Sequence, residues 1–110
     1  MSYTIEYYSA EVQAEVLALP DTLAARFVFL TRRMEVVGPN LGAPHTEPLG
    51  EGLFELRLKG QEGIARVFYC SLVGRRVMML RSYIKKTQKA PPSEIQTARR
   101  RMKEVKSAKP

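Results

Sequence analysis

Cations dominate the chemistry that this sequence offers. Arg57, Lys59, Arg66, Arg81, Lys85, Lys86 and Lys89 recur over a short span of a 110-residue chain, within stretches that otherwise alternate apolar and polar residues. An arginine guanidinium forks onto two phosphate oxygens at once, and a lysine ammonium adds a compact point charge. On three neighbouring strands about 4.8 Å apart, such groups converge within the dimensions of one phosphodiester and its flanking phosphates. That arrangement suits in-line attack by an RNA 2′-hydroxyl on phosphorus, because it stabilises the charge gathered on the phosphorane oxygens. The base is not marked. His45, the only histidine, lies in a Gly/Pro-rich stretch, and a lysine depressed by cationic neighbours is the candidate that remains.

Each candidate also has an ordinary reading. Charged residues on the open face of an antiparallel sheet are usually just solvated. Arg66 is harder to dismiss, since it interrupts the apolar run Ile64-Ala65-Arg66-Val67-Phe68-Tyr69, where a core-facing arginine would need a partner. Strict alternation puts Tyr69 on the opposite face, as a core or edge residue. Tyr83 shares a parity with Arg81 and is either a base-stacking residue or a packed aromatic at a strand end. With Lys59, Arg81 and Lys89 it makes up the candidate RNA-contacting set. The run Arg99-Arg100-Arg101-Met102-Lys103 reads as the solvated back of a helix, with ribosomal RNA contact as a second use. Cys70 reads as a small buried hydrophobe.

Charge is unevenly distributed. Residues 1 to 52 hold three Arg against seven acids, −4, whereas residues 53 to 110 hold fifteen Lys and Arg against four acids, +11. The second half therefore faces a polyanion, with nucleic acid ahead of an acidic membrane surface. One cysteine excludes an internal disulfide, and one histidine leaves no Cys/His cluster for zinc, so neither a metal nor another cofactor is expected. The apolar runs are far shorter than the roughly 20 residues that cross a bilayer. The opening Met1-Ser2-Tyr3 carries no secretory pattern, which points to the cytoplasm.

These groups need positioning elements. Tyr3 to Tyr8 reads as a first strand, and Ser9 can cap a helix in which Val12, Val16 and Leu19 recur. After Pro20-Asp21, Leu23, Phe27, Leu30 and Met34 line a second helix that Gly38-Pro39 ends, so the two helices form a hairpin. Residues 38 to 52, with four Gly and three Pro, read as an irregular connection. Leu53 to Lys59, Ile64 to Ser71 and Arg76 to Tyr83 then form an antiparallel meander. Phe54, Leu56 and Leu58 face the core there, while Glu55, Arg57 and Lys59 present charge. Pro91-Pro92-Ser93 opens a last helix with Ser93 and Gln96 at capping-box spacing and Ile95, Ala98, Met102 and Val105 as its stripe. The expectation is one α+β domain over residues 1 to 110, its helices covering one face of an antiparallel sheet and residues 105 to 110 frayed.

Three segments together, Gly52-Leu53-Phe54-Glu55-Leu56-Arg57, Ile64-Ala65-Arg66-Val67-Phe68-Tyr69 and Lys85-Lys86-Thr87-Gln88-Lys89-Ala90-Pro91 before a helix, resemble the phage-derived branch of the RelE/HigB toxins within the RelE/ParE superfamily. The resemblance covers residues 53 to 104 well and the N-terminal helices loosely. It implies a RelE-like microbial RNase fold, with the helical hairpin on one face of the sheet and a C-terminal helix. It further implies a type II toxin–antitoxin toxin, a metal-independent endoribonuclease that cuts messenger RNA on the ribosome and is neutralised by an antitoxin, commonly a helix-turn-helix protein. By resemblance Arg57, Arg66, Lys85 and Lys86 are the catalytic set, with Arg66 stabilising the transition state. The tyrosine or histidine that relatives place near the C-terminal helix is missing from Ala90-Pro91-Pro92-Ser93, and Glu55 stands where some relatives carry lysine. A non-catalytic nucleic-acid- or ribosome-binding module of phage origin is the other reading.

Overall fold

The apolar alternation in the second half folds as its period demands. In the computed structural model, which describes residues 2–85 and 91–108, three long strands form the centre of a five-stranded sheet. The elements run β1 (Thr4–Tyr7), α1 (Ala10–Leu17), α2 (Asp21–Val37), β2 (Thr46–Gly50), β3 (Leu53–Gly60), β4 (Gly63–Leu72), β5 (Arg76–Ile84) and α3 (Pro92–Ser107). The sheet order is β1-β5-β4-β3-β2, and the domain is α+β.

Four local features differ from the sequence expectation. The connection before β3 contains the edge strand β2, antiparallel to β3 with Thr46 opposite Leu56 and Glu47 opposite Glu55. Pro48 argues against a central strand but is tolerated at an edge, where one side of the ladder is unpaired. Glu51 and Gly52, at φ 56° and 89°, make the tight two-residue turn into β3. Second, β1 pairs parallel to β5, with Ile5 opposite Val77, so the sheet is antiparallel only in its other pairings. Third, Pro91 stands at the start of α3 with no side-chain cap, so Ser93 and Gln96 form no capping box. Fourth, α3 stays helical through Ser107, because Ala98 and Met102 are buried and Val105 packs on the same core.

The two faces of the sheet bury separate cores. On one, Val12 and Val16 of α1 and Leu23, Phe27, Leu30 and Met34 of α2 pack on Leu56, Leu58, Ala65, Val67, Tyr69, Val77 and Met79. On the other, Ala98 and Met102 of α3 pack on Leu53, Phe68, Cys70, Met78 and Leu80. The helices thus take both faces, not one. Two anchors hold the first layer: Ser9 Oγ accepts from the Val12 N–H at 3.1 Å, and Tyr69 donates its hydroxyl to the Pro39 carbonyl. A third ties α2 to the β3–β4 turn, where the Glu62 carboxylate accepts from the Thr22 N–H at 3.1 Å and from its hydroxyl.

A register shift in β5 decides what shares a face. Phe68 pairs with Arg81 but Tyr69 pairs with Met79, so Leu80 is the extra residue of a β-bulge. Val77 and Met79 lie in the α1/α2 core, whereas beyond the bulge Arg81 and Tyr83 turn to the face of Leu80 and α3. Without the bulge, alternation would send both into the opposite layer.

Candidate functional site

Two adjacent rows of residues cross the sheet on the α3 side. Arg57 of β3 lies opposite Arg66 of β4, which lies opposite Tyr83 of β5. One step along, Glu55, Phe68 and Arg81 form the second row. Because strands alternate with period two, both rows project to one face. Helix α3 meets these rows at its first turn, where Glu94 takes Arg81. The β2 side extends the first row, since the Arg57 N–H donates to the His45 carbonyl at 2.8 Å.

Glu55 is the electrostatic centre. Only 6% exposed, its Oε1 receives Arg57 Nε at 3.0 Å and stands 3.5 Å from Arg66 Nε. Burial pushes its carboxyl above the usual glutamate range, and the charges of Arg66 and Lys85 pull it back. Arg66 is itself largely enclosed, its side chain 12% exposed, with Glu55 as its salt-bridge partner among the described residues. Arg57 is more open and also pairs with Glu47 of β2. Tyr83 stacks on Phe68 with ring centroids 5.7 Å apart. Its buried hydroxyl has no hydrogen-bond partner among the described residues, and burial followed by the charge of Glu55 raises its pKa, against Arg66.

The expected residues therefore separate into groups. Arg57, Arg66 and Tyr83 stand in one row, and Lys85 follows β5 with its N–H on the Ile64 carbonyl at 2.8 Å and its charge reaching Glu55. Arg81 shares their face but is clamped by Glu94, Nε to Oε1 at 2.6 Å and Nη2 to Oε2 at 3.4 Å, which raises its pKa and occupies its fork. Lys59 is exposed toward the β3–β4 turn. Lys86 and Lys89 lie outside the described residues. Tyr69 and Cys70 are fully buried, and burial pushes the Cys70 thiol up.

Sequence reasoning missed the carboxylates. Glu55 was grouped with a solvated charged face, yet it is buried between two guanidiniums. Its signal was present: a lone acid two residues before Arg57 and, in an antiparallel hairpin, diagonal to Arg66. Glu47 and Glu94 gave no such signal, because each reaches the site from another element. No three of His, Cys, Asp or Glu converge for a metal among the described residues.

What the arrangement can do is hold an anion. A group entering beside Arg66 meets two guanidiniums and an ammonium, next to a carboxylate biased toward accepting a proton and a phenol held in its protonated form. A family model described as phage derived protein Gp49-like (DUF891) matches residues 14–103, from α1 to α3 and including the site. No curated protein matches the chain.

Proposed function

The chain belongs to the phage-derived Gp49-like family, which is of the RelE/ParE toxin type, and from that premise we propose that it is the messenger-RNA-cleaving toxin of a type II toxin–antitoxin pair. Its substrate is messenger RNA on the ribosome. Its partner is a cognate antitoxin, a helix-turn-helix protein. The observation that carries the reading is the in-register row of Arg57, Arg66 and Tyr83 around the buried Glu55.

In the proposed reaction the Glu55 carboxylate takes the proton of the 2′-hydroxyl as O2′ attacks phosphorus in line. Arg66 and Arg57 hold the non-bridging oxygens, with Lys85 and Lys86 neutralising the charge that builds there. The P–O5′ bond breaks, a 2′,3′-cyclic phosphate forms, and the departing O5′ takes a proton from the Tyr83 hydroxyl. Glu55 supplies the base that the sequence did not mark. The ribosome supplies orientation of the RNA strand, and alignment alone contributes several powers of ten in rate, on the order of 10⁵ or more in effective molarity.

Inducible expression with mapping of transcript 5′ ends tests this, wild type beside Arg66→Gln. The expected result is codon-associated cuts with wild type, falling by about 10² to 10³ with Arg66→Gln while ribosome binding persists. Equal cutting by both proteins would refute the assigned site. Binding without cutting by wild type would leave a ribosome-binding module of the same fold.

A further inference from the structure

Helix α3 carries a second cationic surface that takes no part in the site above. Its sheet-facing stripe is spent on the core through Ala98 and Met102. On the flank toward β1, Arg101 donates to the Leu80 carbonyl at 2.7 Å and lies over the Tyr8 ring at 4.7 Å, while Tyr8 donates its hydroxyl to Glu104 at 2.7 Å. The flank toward β2 is different. There Arg99 donates to the Leu49 and Gly50 carbonyls at 2.8 and 3.2 Å, and Arg100, Lys103 and Lys106 stand exposed without a carboxylate partner among the described residues.

These side chains line an open hollow of about 600 Å³ against the β2–β3 turn, in which Glu51 is the one acid and Met102 the one apolar residue. The turn is shaped to admit them. Gly52, at φ +89°, has Lys106 Nζ 2.7 Å from the point where a Cβ would stand, so any larger residue would push the ammonium away. Along the helix axis, a rise of about 1.5 Å per residue spreads the three free cations over about 9 Å.

We propose that this flank of α3 docks the phosphate backbone of an RNA double helix, independently of the strand being cut. The charge of the lining favours a polyanion, because four cationic side chains, Arg99, Arg100, Lys103 and Lys106, face the hollow against the single acid Glu51. Phosphates held by Lys and Arg through released counterions need no apolar core. The choice of RNA over DNA rests on the messenger-RNA reading above, since the flank belongs to the same face as the cleaving row.

The test uses the full chain carrying Arg66→Gln, which lowers cutting and permits expression, with and without Arg100→Gln, Lys103→Gln and Lys106→Gln together. Binding to a short RNA duplex is measured across a salt series. The triple substitution should lower the slope of log affinity against log salt by about 3, and lose at least tenfold in affinity at low salt. Arg100→Lys with Lys103→Arg and Lys106→Arg should restore both. Unchanged duplex affinity and slope would overturn the proposal, as would a loss confined to anionic vesicles. In the cutting-competent protein the triple substitution should raise the half-saturating ribosome concentration and leave the single-turnover rate unchanged. Should that protein not cut at all, the cleavage reading fails, while the duplex titration still decides the role of this flank.

Discussion

A carboxylate between two arginines is usually read as an ordinary salt-bridge centre, but the balance at Glu55 is tilted the other way. Burial raises its pKa despite Arg66 and Lys85 beside it, so the fold holds the ionised carboxylate less favourably than water does. The sign follows from linkage. A carboxyl whose folded pKa exceeds its unfolded value of about 4.3 makes no penalty below that value, and destabilises increasingly as pH rises through the folded pKa. Glu55→Gln should therefore remove this penalty and flatten the decline of stability as pH rises above the unfolded glutamate value, leave Arg66 without its carboxylate partner, and reduce cutting by about 10² to 10⁴. Melting temperature against pH, read beside a cleavage assay, checks both; a destabilised variant that still cuts would contradict the assignment. Tyr83 makes a parallel case. A buried hydroxyl without a partner costs about 1 to 3 kcal/mol, and Tyr83 finds none among the described residues, so Tyr83→Phe should stabilise the fold by about that much and slow cutting. If cutting is unaffected, Tyr83 is a packed aromatic on Phe68 and nothing more.

Elements enter through the contacts that lock them together. Helix α2 begins at Asp21 after Pro20, which offers no side-chain cap, and its first turn is satisfied from across the chain by Glu62 on the β3–β4 turn. The Thr22 hydrogen bonds hold the Glu62 carboxyl below the usual range. Its contribution is thus present above the ordinary glutamate pKa and is lost as pH falls through the lowered folded value. Glu62→Gln should melt at a lower temperature than wild type at neutral pH, with the difference closing in acid. A difference that does not change with pH would mean that the carboxylate is not the cap. The bulge at Leu80 works at the same scale, setting which face Arg81 and Tyr83 join. Such a device is invisible to alternation, because one extra residue reverses the parity of everything after it.

Across the whole molecule, the division of charge seen along the chain becomes a division of faces. The helical layer of α1 and α2 comes from the net acidic half, while the other face gathers the row around Arg66 and the free flank of α3 from the basic half. What the sequence by itself determined follows from local rules: the apolar stripes of α1, α2 and α3, the three-strand meander, the opposite facing of Arg66 and Tyr69, and the excess of basic residues in the second half. Periodicity of 2 and 3.6 is enough for these, since each rests on residues a few positions apart. Only the tertiary structure decided the parallel pairing of β1, the edge strand β2, the placing of α3 opposite the other helices, and the ring of carboxylates about the arginines. Glu47 and Glu94 meet Arg57 and Arg81 from separate elements, and Glu55 acquires its raised pKa from burial in the folded sheet. Burial and charge pairing are sums over groups far apart in the chain, so no window of sequence contains them.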